Sequence, residues 1–73
     1  MNRIESDSKV VRGLYRICVR AAVGGLIEVV SLVSFMCIGW KKRGEDWQDE
    51  GRVPDEVKRE AEQFFVATYG GVP

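Results

Sequence analysis

Residues 21–40, AAVGGLIEVVSLVSFMCIGW, hold one charged side chain, Glu28, in twenty positions, and any fold of this chain has to cover that stretch. A chain of 73 residues makes one domain, and a domain near this size buries only about 60% of the surface its unfolded chain exposes. A helix apolar on nearly every side would keep much of its surface wet in so small a bundle. The stretch therefore calls for a cover supplied from outside the chain.

From 26 to 38 the only polar residues are Glu28, Ser31 and Ser34. A run of this length without a turn signal exceeds the usual strand of about five or six residues, so the pattern predicts a helix over 26–40. The competing reading is an α+β fold in which residues 26–39 form a buried strand. A largely apolar stretch of twenty residues matches the roughly 30 Å hydrocarbon core of a bilayer, and Trp40 at its exit with Lys41, Lys42 and Arg43 beyond stand in the order expected at a membrane interface. Glu28 opposes insertion, because an ionised acid at the centre of a span costs on the order of 2.5–3.5 kcal/mol. With Gly24, Ser31 and Ser34 it forms a small, polar stripe of the kind along which helices approach one another. Those four residues are the predicted contact with a partner helix or a second copy, and an ion pair with Arg20 is the local alternative for Glu28.

Upstream, residues 1–8 read as a frayed polar terminus and 8–22 as an amphipathic helix. Val10, Val11, Leu14, Tyr15, Ile17, Cys18 and Ala21 share one side of that helix, and Lys9, Arg12, Arg16 and Arg20 line the other. The basic stripe suits anionic headgroups or the chain's own acidic half. Adjacent Gly24 and Gly25 mark a break. Downstream, residues 44–53 read as an acidic linker. Pro54 is tolerated as a first helical residue, and Asp55 and Glu56 place negative charge at the positive end of a helix dipole. A helix is therefore expected over 54–69, with Val57, Ala61, Phe64 and Phe65 on its apolar face. Residues 70–73 form a tail in which Gly70 and Gly71 supply a left-handed cap. The resulting expectation is one mainly α domain of two to three helices, 8–22, 26–40 and 54–69, with the central one nearly all apolar.

Charge restricts the partners. Eleven basic and eleven acidic residues cancel, but residues 1–43 carry a net +5 and residues 44–73 a net −5. With no net positive charge, a nucleic-acid partner is not expected. The absence of histidine removes the commonest general acid–base group and every histidine-containing zinc site. Cys18 and Cys37 form no CxxC pair and read as reduced, buried apolar residues. No phosphate loop, metal-ligand cluster or nucleophile–base pair is present, so no catalytic residue, cofactor or metal is expected. The sequence thus predicts a non-enzymatic, membrane-located helical protein in an accessory or regulatory role, binding a partner protein, its own copies or lipid. The alternative is a cytoplasmic helical interaction module, a dimeric regulator or stoichiometric inhibitor whose central helix a partner buries. Its brevity is compatible with the small accessory proteins of viruses and mobile elements.

Overall fold

The computed structural model describes residues 6–73. Four strands, β1 (Ser6–Val11), β2 (Tyr15–Arg20), β3 (Leu26–Ser31) and β4 (Cys37–Lys42), form an antiparallel meander in chain order, and one helix, α1 (Asp55–Tyr69), follows them. Side chains alternate between the two faces of a strand. In β2 and β3 this puts Ile17, Val19, Ile27 and Val29 on one face, at 0% exposure, where Val57, Ala61 and Phe65 of α1 cover them. Val11 and Val53 complete the core.

The helices expected over 8–22 and 26–40 do not exist. Both segments are hairpins, joined by a short 3-10 turn at Ala22–Gly24. The first reverses at Arg12 and Gly13, both at positive φ, with the Leu14 N–H donating to the Val11 carbonyl at 3.1 Å. The second reverses inside the apolar stretch itself, at residues 32–36, so what the α+β reading treats as one strand over 26–39 is two. The physical reason is the strand period: Ile27 and Val29 point into the core while Leu26, Glu28 and Val30 line the opposite face. Half of the apolarity is thus spent on each side of a sheet. Among the described residues no helix is long and apolar enough to cross a membrane, which overturns the expected transmembrane helix and the membrane-associated helical protein built on it.

The C-terminal helix runs Asp55–Tyr69, one residue inside the expected 54–69, with Pro54 as its N-cap rather than its first helical residue. Gly70, in the left-handed region at φ 76°, closes it by donating to the Val66 carbonyl at 2.7 Å. Between β4 and α1, residues 44–53 are bound to the sheet: Trp40 and Gln48 exchange both backbone hydrogen bonds, at 3.1 and 2.9 Å. This contact rests on Gly39, which is buried opposite Val29. A Cβ there would meet Asp49 Cβ and Val53 Cγ2, each at 2.7 Å. Gly39→Ala is therefore expected to cost about 1–3 kcal/mol through forced displacement of the 48–53 segment, measurable as a lower urea midpoint at unchanged slope.

Candidate functional site

The residues predicted to form one helical stripe are dispersed. Gly24 is exposed in the 3-10 turn at one end of the sheet. Glu28 stands on the sheet face away from α1, 31% exposed and 3.4 Å from Arg20. Ser31 ends β3 at the opposite end, and Ser34 lies beyond it in the β3–β4 loop. The basic stripe is dispersed as well. Lys9 points toward α1, its Nζ 5.9 Å from the centre of the Phe64 ring. Arg12, in the first hairpin turn, reaches Glu56 at 2.9 Å and Glu60 at 3.7 Å. Arg16 and Arg20 share the open face. Of the cluster after the apolar stretch, Lys41 donates to the Pro73 carbonyl and Arg43 to the Val72 carbonyl, each at 2.9 Å. Trp40 and Lys42 belong to the open face. On α1, Val57, Ala61 and Phe65 are buried and Phe64 is half-buried.

The open face is mixed. Its central row runs Cys18, Glu28, Trp40 across β2, β3 and β4. Burial pushes the Cys18 thiol above its ordinary range, the Glu28 carboxylate adds to that, and Arg16 and Arg20 offset it in part. Cys37 is exposed rather than buried, and both cysteines are free. Trp40 is 42% exposed. Among the described residues no group of three or more His, Cys, Asp or Glu side chains is placed to hold a metal ion.

The strongest departure from an ordinary surface lies at the end of the sheet formed by the two hairpin turns. The Leu32 N–H donates to the Leu14 carbonyl at 2.8 Å, which ties the β3–β4 loop to the β1–β2 turn. Around this junction Leu14, Val33, Phe35 and Met36 stand 47%, 75%, 78% and 65% exposed. Scattered exposed apolar residues are normal, whereas a contiguous group of them marks an interaction site. The loop is built to hold this group outward. The Ser31 hydroxyl accepts from the N–H groups of Val33 and Ser34, both at 3.2 Å, and the Phe35 N–H donates to the Ser31 carbonyl at 2.7 Å. Phe35 itself sits at φ +61°, a region where a bulky residue is uncommon and strained. Val33, Phe35 and Met36 were legible in the sequence only as part of a hydrophobic run. Ser31, read as a helix contact, is instead the residue that shapes their loop.

A second site that sequence reasoning missed is structural. Asp49, part of the stretch read as an acidic linker, is only 9% exposed. Its carboxylate accepts from the Val53 N–H at 3.0 Å and faces Lys58 Nζ at 3.1 Å. Burial alone would raise its pKa, but the hydrogen bond from Val53 and the hydrogen bond and charge of Lys58 outweigh it and hold the carboxyl below its usual range. A concavity of about 710 Å³ is an open groove between the outer side of α1 and the tail, lined by Lys58, Arg59, Glu62, Val66 and Val72 among others. Compared with models of protein families, with characterised proteins and with solved structures, the chain matches none.

Proposed function

We propose that this protein is a non-enzymatic binding module that engages another protein through the apolar end of its sheet. The observation that carries the reading is Phe35, an aromatic side chain held in solvent on strained backbone by a loop closed through Ser31. Aromatic residues and Met are enriched where proteins meet and supply much of the binding energy there. A protein partner suits this end better than an anionic lipid surface. Arg12, the base in the two hairpin turns, is already engaged by Glu56 and Glu60, so among the described residues those turns offer no unpaired base to anionic headgroups. The absence of histidine and the open form of the groove beside α1 favour binding over catalysis.

Phe35→Asn separates a binding role from a structural one. Asn tolerates the left-handed region far better than Phe, so the variant is expected to keep its melting temperature or gain up to about 1 kcal/mol. It is also expected to lose the proteins that co-purify with the tagged wild-type chain from the cells that express it. A lower melting temperature with co-purification unchanged would assign Phe35 to the fold and reject the proposal.

A further inference from the structure

We propose that the outer edge of β1 is an interface for a second copy of this chain, pairing β1 with β1 antiparallel about a two-fold axis at Ser8. This seam lies on a different edge of the molecule from the apolar end and is built from main-chain rather than side-chain contacts.

The two edges of the sheet are finished differently. β4 is bulged beside Val29 and Val30, and its outer side is occupied by Gln48. β1 has no bulge in its pairing with β2 and no proline, and among the described residues no backbone group bonds its outer side. Such an edge is a template for another strand.

The ladder fixes which groups are offered. The Leu32 N–H to Leu14 carbonyl bond turns the backbone of Leu14 toward β3, and by alternation so are those of Arg16, Cys18 and Arg20. Tyr15, Ile17 and Val19 therefore bond to β1. Their partners Val11, Lys9 and Asp7 point their N–H and C=O groups inward, which leaves those of Ser6, Ser8 and Val10 pointing out.

Side-chain charge then selects the register. An antiparallel self-pair must oppose outward residue to outward residue. Centred on Asp7 it would set Asp7 against its own copy, and centred on Lys9 it would set Lys9 against its own copy; like charges directly opposite are destabilising. Centred on Ser8, it opposes Ser8 to Ser8, Ser6 to Val10 and, on the α1 side of the sheet, Asp7 to Lys9 twice over. This register alone among the three places opposite charges across the seam and satisfies the open backbone groups. The two sheets become one, with both helices on the same face and the two apolar ends directed away from each other. A seam of one short strand buries less than a standard interface, so the dimer is expected to be of micromolar strength.

Sedimentation of the full chain across a concentration series tests the proposal. The wild type is expected to dimerise reversibly. Ser8→Pro removes an outward N–H without touching a bond to β2 and is expected to give a folded monomer. Asp7→Lys and Lys9→Asp, taken singly, are expected to weaken association about tenfold or more, and the two together to restore it, since the two-fold doubles each cross-strand term. Should the proline variant fail to fold, the charge exchange still decides, as does amide exchange in the wild type, which should slow at Ser8 and Val10 as concentration rises. Three outcomes overturn the proposal: a monomer up to millimolar concentration, a dimer that persists in Ser8→Pro, or exchange at Ser8 that ignores concentration. Phe35→Asn should dimerise as the wild type does. If it is monomeric instead, self-association runs through the apolar end and the β1 seam is rejected, a failure distinct from loss of the heterologous partner.

Discussion

Phe65→Ala is expected to destabilise the protein by about 3–5 kcal/mol. Phe65 is the largest of the fully buried side chains, 1% exposed, and its ring meets Tyr69 edge-on at 5.1 Å between centroids. It also fills the space left by Gly25, where a Cβ would lie 2.7 Å from Phe65 Cζ. The glycine stands at φ +119°, a conformation that L side chains rarely adopt, so position 25 has no side chain to fill the space a truncated ring would leave. At roughly 0.05–0.15 kcal/mol per residue, a chain of this length has about 4–11 kcal/mol in total. The variant should therefore be marginal or unfolded at room temperature. Phe64→Ala is the control: half-buried beside Lys9, Phe64 should cost about 1–2 kcal/mol by partial loss of apolar burial. Urea titration followed by circular dichroism distinguishes the two, and equal losses would contradict a core centred on Phe65.

The second large effect is expected at Asp49. Asp49→Ala removes the acceptor for the Val53 N–H and the nearer of two carboxylates facing Lys58, whose other acid, Asp55, is 3.9 Å away and 92% exposed. Hydrogen bonds to a charged acceptor are worth about 1.5–3 kcal/mol, so a loss of about 2–3 kcal/mol is expected. Asp49→Asn keeps an acceptor of the same shape and should lose about half as much. The pH dependence has a definite sign. A carboxyl whose folded pKa lies below its unfolded value contributes stability above the unfolded value, near 3.9 for Asp, and the contribution disappears as pH falls through the folded value. The difference between wild type and Asp49→Asn should thus be constant from neutral pH to about pH 5 and narrow below about pH 4. A gap that widens in acid would contradict the stabilised carboxylate.

The C-terminal helix was legible because its signals are specific to helices: proline and two acids at the start, glycine at the end, and Val57, Ala61 and Phe65 at i, i+4 and i+8. The sheet was not, because a spacing of four satisfies both periods. Arg16 and Arg20 share a face of a helix and equally a face of a strand, and the helical stripe of Gly24 and Glu28 rests on the same ambiguity. The turns carried little warning. Arg12-Gly13 lacks the Asn or Asp that usually precedes glycine in such hairpins, and the β3–β4 loop is made of Leu32, Val33, Ser34, Phe35 and Met36, which continue the hydrophobic run. An apolar turn conceals itself in the sequence: the residues that hid the hairpin are the ones left exposed by it. Asp49 was missed for a different reason, since nothing in an acidic stretch distinguishes the one carboxylate that Gly39 allows to pack against β4.

The hydrophobic stretch at 21–40 thus divides three ways, into core at Ile27 and Val29, the open face around Trp40, and the exposed end at Val33, Phe35 and Met36. The claim that this end receives another protein is tested most directly by site-specific photo-cross-linking in the cells that express the chain. A photoreactive side chain is placed at Val33 and, in a separate variant, at Gln63 on the exposed side of α1. The expected result is a discrete adduct at position 33, with an added mass different from that of a second copy of the chain, and none at position 63. The same adducts at both positions, or only lipid or the chain's own copies at position 33, would contradict the account.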